Sequence, residues 1–232
     1  MSNSTTSEKR WFEFLSLSLL LGLGTAIATL IFFGWLADEV LEGDAVRFDE
    51  ATRAAIHQLA SPTLTTVMRG FSFVGGTIAL TIGTIVVVVR FAMKKWGREA
   101  KLFAITMGGA ALLNITLKLT FKRARPEPFF NLSLPETYSF PSGHSLTSAV
   151  FFGALAAILT ARIKSKRARI AIWIVSTLMF LTIGFSRIYL GVHHTTDVIA
   201  GFAAALIWIL VVRFVEMQLR RRKLRKTGTG LT

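Results

Sequence analysis

The chain has no cysteine, few charged residues and a shortage of acidic residues. The absence of cysteine excludes disulfides, thiolate nucleophiles and Cys-ligated zinc or iron–sulfur sites. Charged residues make up 17% of the chain and hydrophobic residues 52%, which is rare in a soluble protein of 232 residues. Only 13 Asp and Glu stand against 27 Lys and Arg, so the formal net charge is +14. These proportions indicate a basic integral membrane protein, and the length suits a single domain over residues 1–232.

Six apolar stretches are long enough, or nearly so, to cross a hydrocarbon core as helices, which takes about 20 residues. They run approximately from Phe14 to Leu36, Phe71 to Val89, Leu102 to Leu117, Leu146 to Ala161, Ile170 to Phe185 and Val198 to Val212. We therefore expect an all-α bundle of six transmembrane helices.

The first stretch has some features of a secretory signal. Lys9 and Arg10 precede it, and Ala26-Ile27-Ala28 resembles a cleavage site. Its apolar run continues to Trp35, however, and so exceeds the usual signal core of about 7–15 residues. An uncleaved anchor is the preferred interpretation.

Basic residues predict the orientation of the chain. Six spans put both termini on one side, and the segments on that side hold 19 of the 27 Lys and Arg residues. The positive-inside rule makes that side the cytoplasm, with residues 1–13 as the N-terminal segment and residues 213–232 as a basic tail. Most of the net charge thus indicates a multi-pass protein of the cell (inner, cytoplasmic) membrane. The tail is interpreted as an anchor near anionic lipid, and no nucleic-acid partner is expected.

The segment between the first two spans contains a second kind of helix pattern. Phe48, Thr52, Ala55, Ile56 and Leu59 recur at helical spacing, opposite Glu50 and Arg53. This pattern predicts a short amphipathic helix that lies on the outer surface of the membrane.

Five basic residues on the outer side need a separate explanation, because they oppose the orientation bias and are costly near hydrocarbon. They are Lys118, Lys122, Arg123, Arg125 and Arg187. Snorkelling to lipid headgroups explains Lys122 and Arg123 well. It explains Arg187 less well, since that residue follows an unbroken apolar run.

A helix start precedes the fourth span, in the sequence Phe140-Pro141-Ser142-Gly143-His144-Ser145. Unpaired N–H groups and a partial positive charge gather at such a start. Gly143 lets a ligand approach the backbone closely, so an anion site is predicted. Ser142 alone is equally well explained as a simple N-cap.

The link between the last two spans contains His193, His194 and Asp197. His193 and Asp197 are four apart at a helix start and can share a face. A carboxylate placed there keeps one imidazole nitrogen protonated and leaves the other free as a nucleophile.

These segments are all expected at the same outer depth. Together they supply three cations (Lys118, Arg125 and Arg187), donors from Ser142 and Gly143, and imidazoles including His144 and His193. Such a set suits a tetrahedral oxyanion such as phosphate. A metal site is the rival interpretation, but Asp197 is the one carboxylate of the cluster and the cations would repel a divalent ion. We expect a phosphate site without metal or other cofactor.

The same residues resemble the three-part signature of the type 2 phosphatidic acid phosphatase superfamily. Lys-x6-Arg-Pro corresponds to Lys118 through Pro126, and Pro-Ser-Gly-His to Pro141 through His144. Ser-Arg-xxx-Gly-x-His-xxx-Asp corresponds to Ser186 through Asp197, and every signature position is filled. His194 lies outside the signature and is interpreted as an interfacial histidine rather than a supporting group of the site.

The resemblance implies a mechanism and a class of substrate. Lys118, Arg125 and Arg187 would bind the phosphoryl oxygens together with Ser142 and the Gly143 N–H. His193 would attack phosphorus, Asp197 would orient it, and His144 would protonate the leaving oxygen and then activate water. The implied substrates are membrane lipid phosphates or pyrophosphates, with undecaprenyl pyrophosphate first and phosphatidylglycerol phosphate or phosphatidate as alternatives.

Two other functions remain open at this point. Vanadium haloperoxidases of the same superfamily use this pocket for vanadate, but they resemble soluble proteins. A lipid-phosphate transporter or binding protein would also need an outer cationic cluster. Transporters often carry midplane charges and inverted repeats, whereas the charges here lie at one end of the spans and no repeat is evident. We expect the Glu127–Ser139 loop and the surface helix to govern substrate choice.

Overall fold

A computed structural model describes residues 3–133 and 136–226, with the backbone alone for residues 3–20, 221 and 223–226. Over these residues the chain forms α-helices and no strand, which confirms the all-α class. Parts of both predicted cytoplasmic termini, residues 1–2 and 227–232, lie outside the described residues. The helices are α1 (Asn3–Glu42), α2 (Val46–His57), α3 (Pro62–Val74), α4 (Thr77–Met93), α5 (Gly97–Phe121), α6 (Gly143–Thr160), α7 (Lys166–Tyr189) and α8 (Thr195–Lys226).

Among the described residues, five helices are long and apolar enough to cross a membrane, as expected of a multi-pass membrane protein. They comprise Leu21–Glu42 of α1, Gly97–Phe121, Gly143–Thr160, Lys166–Tyr189 and Thr195–Arg220 of α8. The expected second span, Phe71 to Val89, is divided between α3 and α4, which meet at an angle of 52°. Gly75 is the C-cap of α3 and Gly76, with extended backbone, is the N-cap of α4, since consecutive glycines favour helix ends over helix interiors. Six spans are reached if this bent pair counts as one.

Helix α6 lies at the centre of the bundle. Half of the residues in its apolar stretch are buried, compared with 17% of those in the corresponding stretch of α7 and 28% in that of α5. Its Leu146 and Val150 are fully buried, and small residues of α8 such as Ala200 lie in the same core. Small side chains let membrane helices approach closely, while large apolar side chains elsewhere, Ile115 and Leu178 among them, stay exposed on faces suited to lipid.

Helix α2 forms where the amphipathic helix was predicted, but the face that packs on the protein is mixed, with Asp49 and Arg53 beside Thr52 and Ile56. Phe48 and Leu59 are exposed, whereas Asp49 is fully buried. Arg53 donates hydrogen bonds to the carbonyl oxygens of Glu127, at 2.8 Å, and Gly191, at 3.2 Å. Its location on the outer membrane surface stays a prediction, and the exposed Phe48 suits it.

Three connecting segments meet at one end of the bundle. They are the loop after α5, the start of α6 and the link between α7 and α8. The Ser142 N–H donates to the Asp197 carbonyl at 2.9 Å, and the Phe129 N–H donates to the Leu190 carbonyl at 3.0 Å. These backbone bonds join the three segments that carry the predicted site residues.

The close packing of α5 on α8 gives a test of the fold. A methyl group on Gly109 would collide with the Trp208 ring, which is held by its hydrogen bond to the Thr106 carbonyl at 2.8 Å. We therefore expect Gly109→Ala to lower the free energy of unfolding by about 1–3 kcal/mol. Its neighbour Gly108 faces open space, so Gly108→Ala should leave it unchanged or slightly raised. Thermal unfolding in detergent compares the two, and equal melting temperatures would contradict the packing.

Candidate active site

His193 and Asp197 form the buried pair that the sequence predicted. The Nδ1 atom of His193 lies 3.1 Å from Oδ2 of Asp197, and neither side chain is more than 2% exposed. Burial lowers the pKa of His193 to about 4, although the hydrogen bond to Asp197 acts in the opposite direction. The ring is therefore neutral at pH 7. With Nδ1 donating to the carboxylate, Nε2 carries the free lone pair, as a nucleophile requires.

Asp197 has further partners that the sequence analysis missed. Its Oδ1 accepts a hydrogen bond from Arg123 at 2.7 Å, and its Oδ2 accepts one from the His194 N–H at 3.0 Å. Arg123 also pairs with Asp49 of α2 at 2.8 Å, and its side chain is only 12% exposed. The snorkelling interpretation of Arg123 is therefore wrong. The chain leaves α5 through Lys122 in the left-handed region (φ 48°), and the following residue turns inward.

The His194 side chain packs beside the buried carboxylate of Asp49. Its side chain is 18% exposed, and its Nδ1 lies 4.0 Å from Oδ2 of Asp49. Burial and the nearby Arg123 lower its pKa, against the opposing effect of Asp197 and Asp49. The structure thus favours the interpretation that the sequence analysis ranked second.

The three predicted anion-binding cations converge on the pair. Arg125 Nη1 lies 3.1 Å from His193 Nε2 and donates to the Val192 carbonyl at 3.0 Å. Lys118 Nζ donates to the carbonyls of Tyr138 and Ser139, and the buried Arg187 donates to the hydroxyl of Ser72 in α3. Burial lowers the pKa of Arg125, yet a guanidinium stays charged at neutral pH.

Carbonyl and hydroxyl oxygens, not carboxylates, are the partners of these cations. Across the described part of the chain, none of the three makes an ion pair, and Nε of Arg187 is buried without a hydrogen-bond partner. Their positive charge is therefore not neutralised and is available to an anion.

The start of α6 lies beside these cations. Ser142 is fully buried and caps α6, since its Oγ accepts from the Ser145 N–H at 3.4 Å and from the Ser145 hydroxyl at 3.0 Å. The simple N-cap explanation thus accounts for its observed contacts. At Gly143, a Cβ would lie 3.0 Å from both amide atoms of Asn114 of α5. Sequence analysis missed Asn114, whose signal was a polar residue inside an apolar span one turn before Lys118.

His144 faces a cavity at the break between α3 and α4. Its Nε2 would lie 3.9 Å from a Cβ placed on Gly76. The cavity measures about 480 Å³, and both His144 and Arg187 line it together with Ser72, Gly76 and Leu132. The only sequence signal for this break was the Gly75-Gly76 pair in an apolar run. The Glu127–Ser139 loop contributes Leu132 and Ser133, while its residues 134–135 lie outside the described residues.

No group of three His, Asp or Glu side chains that could hold a metal ion occurs among the side chains that the structure describes, those of residues 21–133, 136–220 and 222. Whether the protein needs a metal is decided by experiment below.

Comparisons with known proteins agree with the signature. A family model described as "PAP2 superfamily" matches residues 99–220. Phosphatidylglycerophosphatase B of Bacillus subtilis is 30% identical over 200 residues, which cover 84% of this chain and 96% of that protein. Undecaprenyl-diphosphatase of Sulfolobus acidocaldarius is 34% identical over 98 residues, which cover 40% of this chain and 43% of that protein.

A solved structure extends the likeness to three dimensions. The crystal structure of the first transmembrane PAP2 type phosphatidylglycerolphosphate phosphatase from Bacillus subtilis has a TM-score of 0.77 and 27% sequence identity. The alignment covers 84% of this chain and 96% of that chain.

Anion binding at this site can be measured directly. We expect orthovanadate, a tetrahedral phosphate analogue, to bind wild-type protein and to raise its melting temperature. Arg187→Gln should weaken this binding about tenfold or more, because a hydrogen bond to a charged group contributes about 1.5–3 kcal/mol. Arg47→Gln, which removes an exposed arginine of α2, is the matched control. Equal vanadate affinity in Arg187→Gln would place the anion elsewhere.

Proposed function

The chain belongs to the PAP2 superfamily, and from that premise we propose that it removes the terminal phosphate of a membrane lipid phosphate or pyrophosphate. The reaction needs no metal and proceeds through a phosphohistidine. One observation carries the proposal: a neutral, buried His193, held by Asp197, faces Lys118, Arg125 and Arg187, whose charges are not neutralised by carboxylates in the described residues.

Phosphate binding prepares the nucleophile. The phosphoryl oxygens are bound by the three cations, with Ser142 and the Gly143 N–H at the start of α6. Arg125 Nη1 occupies the lone-pair side of His193 Nε2 at 3.1 Å before substrate binds. When it turns to a phosphoryl oxygen, the lone pair is free to attack phosphorus. Asp197 retains the Nδ1 proton and stabilises the positive charge that the ring gains as the N–P bond forms.

His144 completes the reaction as acid and then as base. It gives a proton to the leaving lipid oxygen while the P–O bond breaks, and the phosphohistidine remains. It then takes a proton from water, whose oxygen attacks phosphorus and releases inorganic phosphate from His193. In-line displacement requires His144 and His193 on opposite sides of phosphorus. The position of His144 on the cavity wall, with Arg187, supports this role.

Two observations bear on which lipid is the substrate, and they favour different lipids. The B. subtilis relative named phosphatidylglycerophosphatase B matches across most of its length. A site on the outer side, as the distribution of basic residues predicts, suits undecaprenyl pyrophosphate, because that carrier is released there. We keep undecaprenyl pyrophosphate first and phosphatidylglycerol phosphate or phosphatidate second. Exposed Phe73 and Ile78 beside the cavity offer apolar surface for the lipid chain.

A panel of purified lipids decides among these substrates and against transport. The detergent-solubilised protein is given undecaprenyl pyrophosphate, phosphatidylglycerol phosphate and phosphatidate, and phosphate release is measured. We expect the highest kcat/KM for undecaprenyl pyrophosphate. A higher value for phosphatidylglycerol phosphate reverses the order. No release from any lipid, together with translocation in liposomes, would establish the transporter instead.

The nucleophile assignment is tested by substitution of two histidines. His193→Ala should abolish phosphate release and the acid-labile phosphoenzyme, because no other group attacks phosphorus. The control His57→Ala removes a ring that stacks on Phe129, at 4.0 Å between centroids, and should stay close to wild type. EDTA should not inhibit. Near-normal activity of His193→Ala, or loss of activity in EDTA that added metal restores, would contradict the mechanism.

Arg69 offers a test of substrate selection. It lines the 480 Å³ cavity that holds His144 and Arg187, and also the neighbouring one of about 390 Å³. No ion pair to it exists among the described residues. Its guanidinium is therefore placed to bind a second phosphoryl group beside the one that reacts.

We expect Arg69→Gln to lower kcat/KM about tenfold for undecaprenyl pyrophosphate and phosphatidylglycerol phosphate, which carry two phosphoryl groups. Phosphatidate has one phosphoryl group and should lose about twofold or less. Arg47→Gln again serves as the control. An equal loss for all three lipids would show that Arg69 does not read the second phosphate.

A further inference from the structure

We propose that Asp49 of α2 and Arg123 of the loop after α5 are positioning residues that act through Asp197 on His193. The four side chains form a continuous series, Asp49, Arg123, Asp197 and His193, which we call the charge chain. The inference rests on the proposed function, because it assigns His193 as the nucleophile. It assigns a role in catalysis to α2, which lies outside all three signature motifs and outside residues 99–220 of the family match.

Asp49 is bound to both neighbouring elements of the site. Its Oδ1 accepts from the Thr196 N–H at 2.9 Å, and its Oδ2 accepts from the Thr196 hydroxyl at 2.7 Å and from Arg123 at 2.8 Å. The residue is 0% exposed although it belongs to a short surface helix. A carboxylate this deeply buried is kept only where several donors satisfy it. Those donors lie on the first turn of α8 and on the loop that carries Arg125.

Arg123 joins the two carboxylates with separate nitrogens of one guanidinium. Nη2 donates to Asp49, while Nη1 donates to Asp197 Oδ1 at 2.7 Å and to the Thr196 hydroxyl at 2.8 Å. The planar fork of arginine has donors for both partners at once, which a lysine ammonium cannot match in geometry. Asp197 is thereby held from the side opposite to His193, and its Oδ2 stays directed at the imidazole.

The alternating charges explain why a second carboxylate is needed. Arg123 alone would largely cancel the negative charge of Asp197. His193 already faces cations from Arg125 and Arg187, which disfavour positive charge on its ring, while Lys118 and His144 lie in the same site. Asp49 neutralises Arg123 and so leaves the charge of Asp197 available to His193. That charge matters most in the transition state, when the ring becomes positive.

An alternative is that the pair merely fixes α2 to the bundle. The chain offers controls for that role. Thr52 of α2 and Thr195 of α8 share a hydrogen bond of 2.6 Å, which holds the same two helices together without charge. Glu50, next to Asp49, is an exposed carboxylate of the same helix. Loss of docking would affect Thr52→Val and Asp49→Asn alike, whereas loss of the charge chain affects only the second.

The experiment compares Asp49→Asn with Glu50→Gln and Thr52→Val in purified protein that hydrolyses a lipid phosphate. Asp49→Asn should lower kcat about ten- to hundredfold, by analogy with the loss seen when a hydrogen-bond partner behind a metal-bound histidine is removed. KM and inhibition by vanadate should stay within about twofold, because the cations of the anion site are untouched. Both control variants should keep wild-type kcat. A rise in KM or a fall in vanadate affinity as large as the fall in kcat would overturn the proposal. So would a fall in the kcat of Thr52→Val equal to that of Asp49→Asn.

A double-mutant cycle isolates the route through Asp197. In an Asp197→Asn background the charge chain is already broken, so Asp49→Asn should cost about twofold or less. A purely structural loss would multiply the two effects, and that result also overturns the proposal. Should Asp49→Asn fail to fold, Arg123→Lys replaces it. Lysine keeps the charge but not the fork, so we expect the same loss of kcat with unchanged KM, and wild-type kcat there would contradict the inference.

The outcomes separate this inference from the proposed function. Full activity of His193→Ala would show that His193 is not the nucleophile, and would overturn both the proposed mechanism and the charge chain. Inactive His193→Ala together with fully active Asp49→Asn would overturn the charge chain alone.

Discussion

The hydrogen bond between His193 and Asp197 is the interaction on which the rest of the site depends. A site for phosphate needs positive charge that is not neutralised, yet the same charge makes an imidazole a poorer nucleophile. The structure meets both demands by placing a cation and a carboxylate at different nitrogens of the imidazole. Arg125, which has carbonyl partners, lies at Nε2 of the imidazole, whereas the carboxylate of Asp197 lies at Nδ1.

Backbone carbonyl oxygens accept the hydrogen bonds of Lys118 and Arg125, because helix ends and loops leave such oxygens without a partner in the helix. The loop after α5 gives the carbonyls of Thr137, Tyr138 and Ser139, and the link before α8 gives that of Val192. Such dipoles satisfy the donors of a buried cation without cancelling its charge. This explains why a chain built of apolar helices carries its chemistry where helices stop.

Much of this was predictable because the signals are local. Apolar runs located the long helices, and the spacing of Lys118, Arg125, His144, Arg187, His193 and Asp197 indicated the chemistry before any coordinates. What failed depends on contacts between distant residues. Asp49 and Thr196 are 147 residues apart, and no periodicity links them. The pattern of α2 predicted a helix on the membrane surface but gave no sign that Asp49 would be buried against Arg123 and Thr196. The break between α3 and α4 was not predicted, because the apolar run continues through Gly75 and Gly76 although the helix does not.

Arg123, which was interpreted as a snorkelling residue, and Asp49, for which no role was expected, share a physical cause that bears on how the site works. Arg123 and Asp49 look like surface charges in sequence because burying either alone would be prohibitive. Their mutual ion pair and their contacts with Asp197 and Thr196 offset the free-energy cost of burying both charges. Neither residue, considered alone in the sequence, therefore indicates that it is buried. The same mutual dependence suits them to the proposed role behind His193. A group that is stable only when its partner is in place also fixes that partner's position, and Asp197 thus meets His193 in one orientation rather than several.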